Sequence, residues 1–308
     1  MSVRGAVVAV LACAGLAAGC TPQHAAPPHT PAPVAPTAIP PYDASLPPAQ
    51  AVLALVPRAA TTLRLVDLAE IRRQVGLPEL TSSSAEADRA AYRTRAAVDA
   101  PLLDRSVLAP ADDRLRASYG FGVDDVAWEA HFSGHGRRGW VLAFGTHVDM
   151  RAVARAVRAR IAPLRGAHVD VRDRLVTRGA AARGEPVWGS DPAWARLVPG
   201  PGEAFVVRRG CLAARDARRH PRLEPISGFA MTFGDHVATV RVDRDRTDLF
   251  ARARLGWGRF RRVFRHPVAD PTSGRIGYDV PHPARASALV RREVLPFGVC
   301  APRCRAGP

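Results

Sequence analysis

Val126-Ala127-Trp128-Glu129-Ala130-His131-Phe132, followed after a glycine-containing break by Trp140-Val141-Leu142-Ala143-Phe144, decides the fold class. Val126, Trp128, Ala130 and Phe132 occupy alternate positions, the period of a strand with one buried face. The second run is apolar throughout, as in a strand buried on both faces. The stretch Ser133 to Gly139 is expected to turn the chain between them. Thr146 with Asp149 then offers a cap for a helix whose Met150, Val153, Val157 and Ile161 recur at three- and four-residue spacing. The unit reads as strand, hairpin, strand, helix.

Toward the N-terminus, Thr61 to Val66 sets Leu63 and Leu65 against polar neighbours, as a half-buried strand does. Asp67, with Glu70 three residues on, has the form of a capping box; it opens a helix carrying Leu68, Ile71 and Val75 on one stripe and ending at Gly76. Ser84 to Val98 is alanine-rich and polar enough for a surface helix. Toward the C-terminus the same order returns. Phe229, Met231 and Phe233 alternate, Gly234-Asp235 suits a tight turn, and Val237 to Val242 comes back as a strand. Asp245 or Thr247 opens a helix with Leu249, Phe250 and Ala253 inward. This recurrence is a weak internal repeat. Arg275 to Val280 adds a strand, Pro283 stands in the first turn of a helix bearing Leu289, and a last strand runs into Cys300. The expected fold is α+β: two strand-strand-helix halves whose mixed or antiparallel sheets are packed by helices. The halves are residues 51–200 and 201–308, with the Gly-, Pro- and Trp-rich stretch Ala180 to Gly202 as the boundary.

The first 50 residues have another grammar. Arg4 supplies a positive start and Ala6 to Ala18 an apolar run, shorter than the roughly 20 residues of a membrane span. Small residues then lead into Cys20. Leu16-Ala17-Ala18-Gly19-Cys20 resembles a bacterial lipobox. The resemblance implies that residues 1–19 are a signal peptide and that Cys20 becomes the first residue, carrying a thioether-linked diacylglycerol that holds the chain to a membrane. Ala17 stands where leucine is commoner, and plain secretion with cleavage near Gly19 is the alternative. Residues 20–50 carry Pro27-Pro28, Pro31, Pro33, Pro36, Pro40-Pro41 and Pro47-Pro48 with almost no charge, a disordered or polyproline-like spacer. Lipobox, spacer and α+β body, with phrases such as Val123-Asp124-Asp125-Val126-Ala127-Trp128-Glu129 and Pro296-Phe297-Gly298-Val299-Cys300, together resemble cell-envelope lipoproteins of high-GC Gram-positive bacteria. That resemblance implies location at the outer face of the cytoplasmic membrane and brings no catalytic residue with it.

Among the cysteines, Cys13 leaves with the signal and Cys20 is taken by lipid, so Cys211, Cys300 and Cys304 remain. In an oxidising compartment Cys211 with Cys300 is the favoured disulfide, each lying at the edge of an expected strand; Cys211–Cys304 and Cys300–Cys304 are the rivals. Three cysteines without a fourth ligand near by do not make a metal site, and no metal or cofactor is expected.

All 44 basic residues are arginine, against 28 acids, for a net charge of +16. The excess is uneven. Residues 51–130 hold 10 arginines and 12 acids, whereas residues 131–308 hold 33 arginines and 15 acids. A coding bias toward arginine would raise both alike, so the second half is expected to present a cationic surface. Its densest stretch is Arg252 to His266, where Trp257, Phe260 and Phe264 recur at helical spacing among Arg259, Arg261, Arg262 and Arg265. Arginine beside aromatics can hold an anionic wall polymer, a lipid headgroup or an envelope protein. Nucleic acid is the weaker candidate, since basic charge alone is unspecific. The plain alternative is aromatics in the core and arginines in solvent.

Catalytic signatures are absent: no G-x-S-x-G elbow, no H-E-x-x-H, no P-loop and no G-x-G-x-x-G. The one dense set is Asp124-Asp125-x-x-Glu129-x-His131-x-Ser133-x-His135. On a strand Glu129 and His131 share the face opposite Trp128, with Ser133 and His135 in the following loop. An acid paired with imidazole can act as a base or as two metal ligands, given a third group; the expected reading is the plainer one, the solvent-facing side of an amphipathic strand. The expectation is a non-enzymatic binding protein using its basic second half; the alternative is a hydrolase-like enzyme or small-ligand binder using Asp124 to His135.

Overall fold

The structure, a computed structural model, describes residues 41–198, 200–212, 223–242, 246–255 and 260–300. In chain order these form α1 (Pro48–Ala51), β1 (Thr62–Asp67), α2 (Leu68–Gln74), α3 (Glu86–Asp99), α4 (Asp112–Tyr119), β2 (Val126–Gly134), β3 (Arg137–Phe144), α5 (Met150–Arg158), β4 (His168–Asp170) and β5 (Leu175–Arg178). There follow α6 (Pro192–Leu197), β6 (Ala204–Arg209), β7 (Gly228–Gly234), β8 (Val237–Arg241), α7 (Leu249–Leu255), β9 (Arg265–Asp270), β10 (Arg275–Asp279) and α8 (Pro283–Arg291). Cys20, Cys304, Trp257 and Arg259 lie outside the described residues.

The fold is α+β, and one continuous sheet runs through both halves in the order β4-β5-β3-β2-β1-β6-β7-β8-β10-β9. Its ladders are all antiparallel, so the mixed sheet held open by the sequence is not what forms. The cause is local. Two-residue turns make β2–β3 and β7–β8 hairpins, and the strand that follows each crossover helix is kept one place away from its parallel mate. Thus β5 lies between β3 and β4, and β10 between β8 and β9.

Read outward from the central β1·β6 pair, the order is β1-β2-β3-β5-β4 on one side and β6-β7-β8-β10-β9 on the other. The turns correspond as well. His135-Gly136 and Asp235-His236, one hundred residues apart, are all at positive φ, the type I′ geometry that matches strand twist. Asp170 accepts the Asp173 amide at 2.9 Å before Arg174 goes left-handed, and Asp270 accepts the Thr272 amide at 3.1 Å before Gly274 does.

Each face of the sheet carries its own core. On one, α2, α3, α4, α5, α7 and α8 pack Ile71, Leu115, Val153, Leu249 and Val290 against Leu142, Met231 and Ile276. On the other, α1, α6 and Trp188 cover Leu63, Ala130, Phe132 and Phe205, which lie in the first half and at its border. Asp67 does cap α2, accepting the Glu70 amide at 2.9 Å, and Asp149 caps α5. Cys211 is bonded to Cys300, with Cα atoms 5.7 Å apart.

Several expectations are corrected. Ser133 belongs to β2 rather than to a loop, because the positive-φ turn lets the strand run to Gly134. Phe250 points outward, 55% exposed, while Arg252 on the same helix is fully buried. In the stretch to His266, where Gly256 and Gly258 already argue against one long helix, α7 ends at Leu255 and β9 begins at Arg265, paired with β10. Before Cys300 the chain makes a 3-10 turn, Pro296–Gly298, and a lone bridge from Val299 to Leu212, not a strand.

Candidate functional site

The insertion between β1 and β2, which holds α2, α3 and α4, does not lie flat on the sheet. Between α3, α4, the connecting residues 101–109 and the β1–β2 face it leaves a cleft of about 530 Å³. That lies within the range of small-ligand sites. Tyr92, Ala96, Leu102, Leu103 and Val66 give it apolar walls.

Sheet register sets its polar back. Arg64 on β1 lies opposite His131 on β2, and Val66 opposite Glu129. Arg64 forms an ion pair with Asp104, Nε to Oδ2 2.7 Å. Glu129 is buried; its Oε1 accepts the Val107 amide at 2.8 Å and stands 2.6 Å from His131 Nε2. One carboxylate therefore pins the connecting loop and orients the imidazole together. Asp124, also lining the cleft and buried, has its pKa raised by desolvation, with Asp112 adding and Arg89, 3.9 Å away, opposing. Burial pushes Tyr92 up to about 12, so its hydroxyl stays protonated at neutral pH. At the mouth, Glu86 is held below its ordinary pKa by the hydrogen bond from Arg93. Six carboxylates and three arginines line the cleft in all, giving it an acidic balance within a basic protein.

Glu129 and His131 thus share a face as expected, but that face is not open to solvent: the helices inserted between β1 and β2 cover it, so Glu129 is buried and both residues line a cleft. Ser133 is further out on the same strand, its carbonyl taken by the Thr61 amide at 2.8 Å, and does not line the cleft. His135 sits in the exposed turn at φ 48°. Asp125 is structural: it accepts the amides of Gly122 and Ser82 at 2.7 and 3.0 Å and meets His147 at 2.9 Å, tying the entry to β2. Ser106 reaches the cleft, but its Oγ accepts the Leu108 amide at 3.3 Å. A histidine with an orienting acid is present, and among the described residues no activated hydroxyl or thiol stands beside it. Among the described residues no group of three or more His, Cys, Asp or Glu is placed to hold a metal ion. Arg64, Asp104 and Tyr92 were not singled out by sequence; the alternation of Arg64 with Leu63 and Leu65 was the available signal.

The arginine-aromatic stretch divides. Phe260 and Phe264 are core residues, while Arg261, Arg262 and Arg265 are exposed. Its described part therefore does not place aromatic faces beside the cations.

Fold and site define a class: an α+β protein built on one antiparallel sheet, with a side cleft roofed by helices inserted into its first half. No family model matches the sequence, and no curated protein does. A solved structure, crystal form III of TP0453, aligns with TM-score 0.33 and 7% identity over 77% of this chain and 96% of that one, a likeness that carries no argument. Among the described residues no helix is long and apolar enough to cross a membrane.

Proposed function

We propose that the protein is a non-enzymatic binding lipoprotein of the cell envelope, anchored through Cys20 and lifted by its proline-rich spacer, that takes a small, mostly apolar ligand in the β1–β2 cleft. The observation that carries the binding reading is Glu129 with His131 at the back of that apolar cleft. A buried carboxylate on apolar walls discriminates by its polar partner: it favours a ligand that ends in a cationic or hydrogen-bond-donating group and penalises one that ends in an anion. The lipobox supports the anchor, and detergent partitioning with intact mass of the native chain beside Cys20→Ala tests it. The internal repeat, in our reading, is a duplication of one β-β-β-α-β-β unit, supported by the mirrored strand order and matched turns.

The cleft is tested with octylamine, octanol and octanoate, which share a tail and differ in head. Octylamine is expected to bind best and octanoate worst, read by calorimetry and by shifts of cleft resonances, with Glu129→Gln removing the preference. Equal binding of all three, or shifts elsewhere than the cleft, would refute the reading.

A further inference from the structure

We propose a second site, independent of the cleft: a pocket for a phosphate-type oxyanion on the sheet face of the second half, formed by Arg196, Arg241 and Arg275. Arg241 on β8 and Arg275 on β10 are direct register partners, so both side chains rise from the same face. Like charges in that position repel. On the far side of Arg275, the partner on β9 is Asp270. Its carboxylate is engaged within its own turn by the Ser273 hydroxyl and the Thr272 and Ser273 amides. The Ser273 hydroxyl chiefly lowers the Asp270 pKa and Arg275 helps from a distance, but neither arginine forms an ion pair with it or with any other described acid.

Together with Arg196 on α6, the two arginines line a cavity of about 370 Å³ whose apolar wall is Trp194 and Leu197. Arg241 is half-buried and its Nε has no hydrogen-bond partner. Burial, with Arg275 adding, lowers its pKa, as a partly desolvated cation facing a like charge should show. Three guanidinium groups around one cavity, with a donor left over, match the tetrahedral oxyanion of a phosphate monoester or diester better than a carboxylate. Such an ion offers acceptors to several forks at once. The apolar wall would take the ester group.

The test uses the full chain, with potassium phosphate titrated against potassium chloride of equal ionic strength, followed by calorimetry and thermal midpoint. Phosphate is expected to raise the midpoint of the wild type. Arg241→Gln and the exposed-site variant Arg196→Gln should each weaken phosphate binding about tenfold, the loss of one charge-assisted contact. Arg241→Gln should also fold at least as stably as wild type without phosphate, because it removes one of two facing cations. Vesicles of phosphatidylglycerol and of phosphatidylcholine form the second arm. Binding to the former alone, lost in the same variants, assigns the site to a lipid headgroup, whereas binding of inorganic phosphate assigns it to a free ester. Equal response of wild type and variants in both arms overturns the proposal.

Discussion

The two halves share one strand order and differ in what each connection carries. Between β1 and β2 the chain inserts α2, α3 and α4; between β6 and β7 the described residues form no helix. The first half thus gains a roofed, acidic cleft and has its second face covered by α1, Trp188 and α6. On that same second face the outer strands β8, β10 and β9 have no helix packed on them among the described residues, with Val237 at 43% and Val268 at 70% exposure beside the facing pair Arg241 and Arg275. One sheet topology therefore gives two surfaces of opposite charge, set by what the connections cover and by which side chains the strands present. Function follows from what loops add to a common scaffold.

The difference should be largest in how each half is held together. The second half is stapled by Cys211–Cys300 and by buried Arg252, which donates to the carbonyls of Phe297 and Val299 at 2.9 and 2.7 Å and to Asp248 at 2.8 Å. Replacing both cysteines by serine releases a link spanning 89 residues. About 4–5 kcal/mol of stability should be lost in the chain-entropy picture. Hydrogen exchange should show β7 to β10 losing protection first. Uniform loss across all ten strands would show that the central β1·β6 ladder makes the halves one cooperative unit.

A smaller effect should separate the halves by pH. Asp67 begins the helical insertion of the first half, and its pKa is raised to about 6, chiefly by burial, with Arg73 and Arg72 opposing. The folded state then holds a proton that the unfolded chain releases near 4. Its contribution is present at low pH and is lost as pH rises from about 4 through about 6. Asn caps a helix as well as Asp does. Asp67→Asn should therefore gain on wild type by on the order of 2 kcal/mol between pH 4 and pH 7 in denaturant titrations. A constant difference across that range would mean Asp67 titrates normally.

Next comes the cleft itself. Glu129→Gln keeps an acceptor for the Val107 amide but loses the charge that faces His131. About 1 kcal/mol should be lost, with the change in exchange protection confined to residues 101–109 and β2. Spread of the change to β7–β10 would argue against a separable first-half site.

Much of this architecture was legible in sequence, and the gaps have physical causes. The β2–β3 alternation, the Asp67 cap and the stripe of α5 follow from local periodicity. Helix α4 buries only Leu115, and β4 is three residues long, so neither shows a pattern to read. Both hairpin turns are placed by sequence to within a few residues, and their exact positions are missed because His135, Asp235 and His236 hold positive φ without being glycine. Glu129 and His131 could be put on one face from spacing alone. The cleft before them could not, since residues 101–109 have no periodicity and act through where they rest. Arg241 and Arg275 become neighbours only once β8 and β10 pair.

The smallest expected effect lies at the border of the halves. Arg209, the last residue of β6, stacks its guanidinium over Trp194 at 4.6 Å and Trp188 at 5.2 Å from the ring centroids. It closes the covered part of the second face where the bare part begins. Cation–π contact favours it by about 0.5–2 kcal/mol. Burial opposes, lowering its pKa, with Asp191 partly compensating, and its Nε has no hydrogen-bond partner. The two should nearly cancel. Arg209→Met keeps the packed stem and removes the charge, so it should change stability by less than about 1 kcal/mol, with tryptophan emission altered more than the unfolding midpoint. A loss of several kcal/mol would mean that the charge itself, rather than the area it covers, holds the border shut, and that the uncovered face of the second half depends on cations for its order as well as for its ligand.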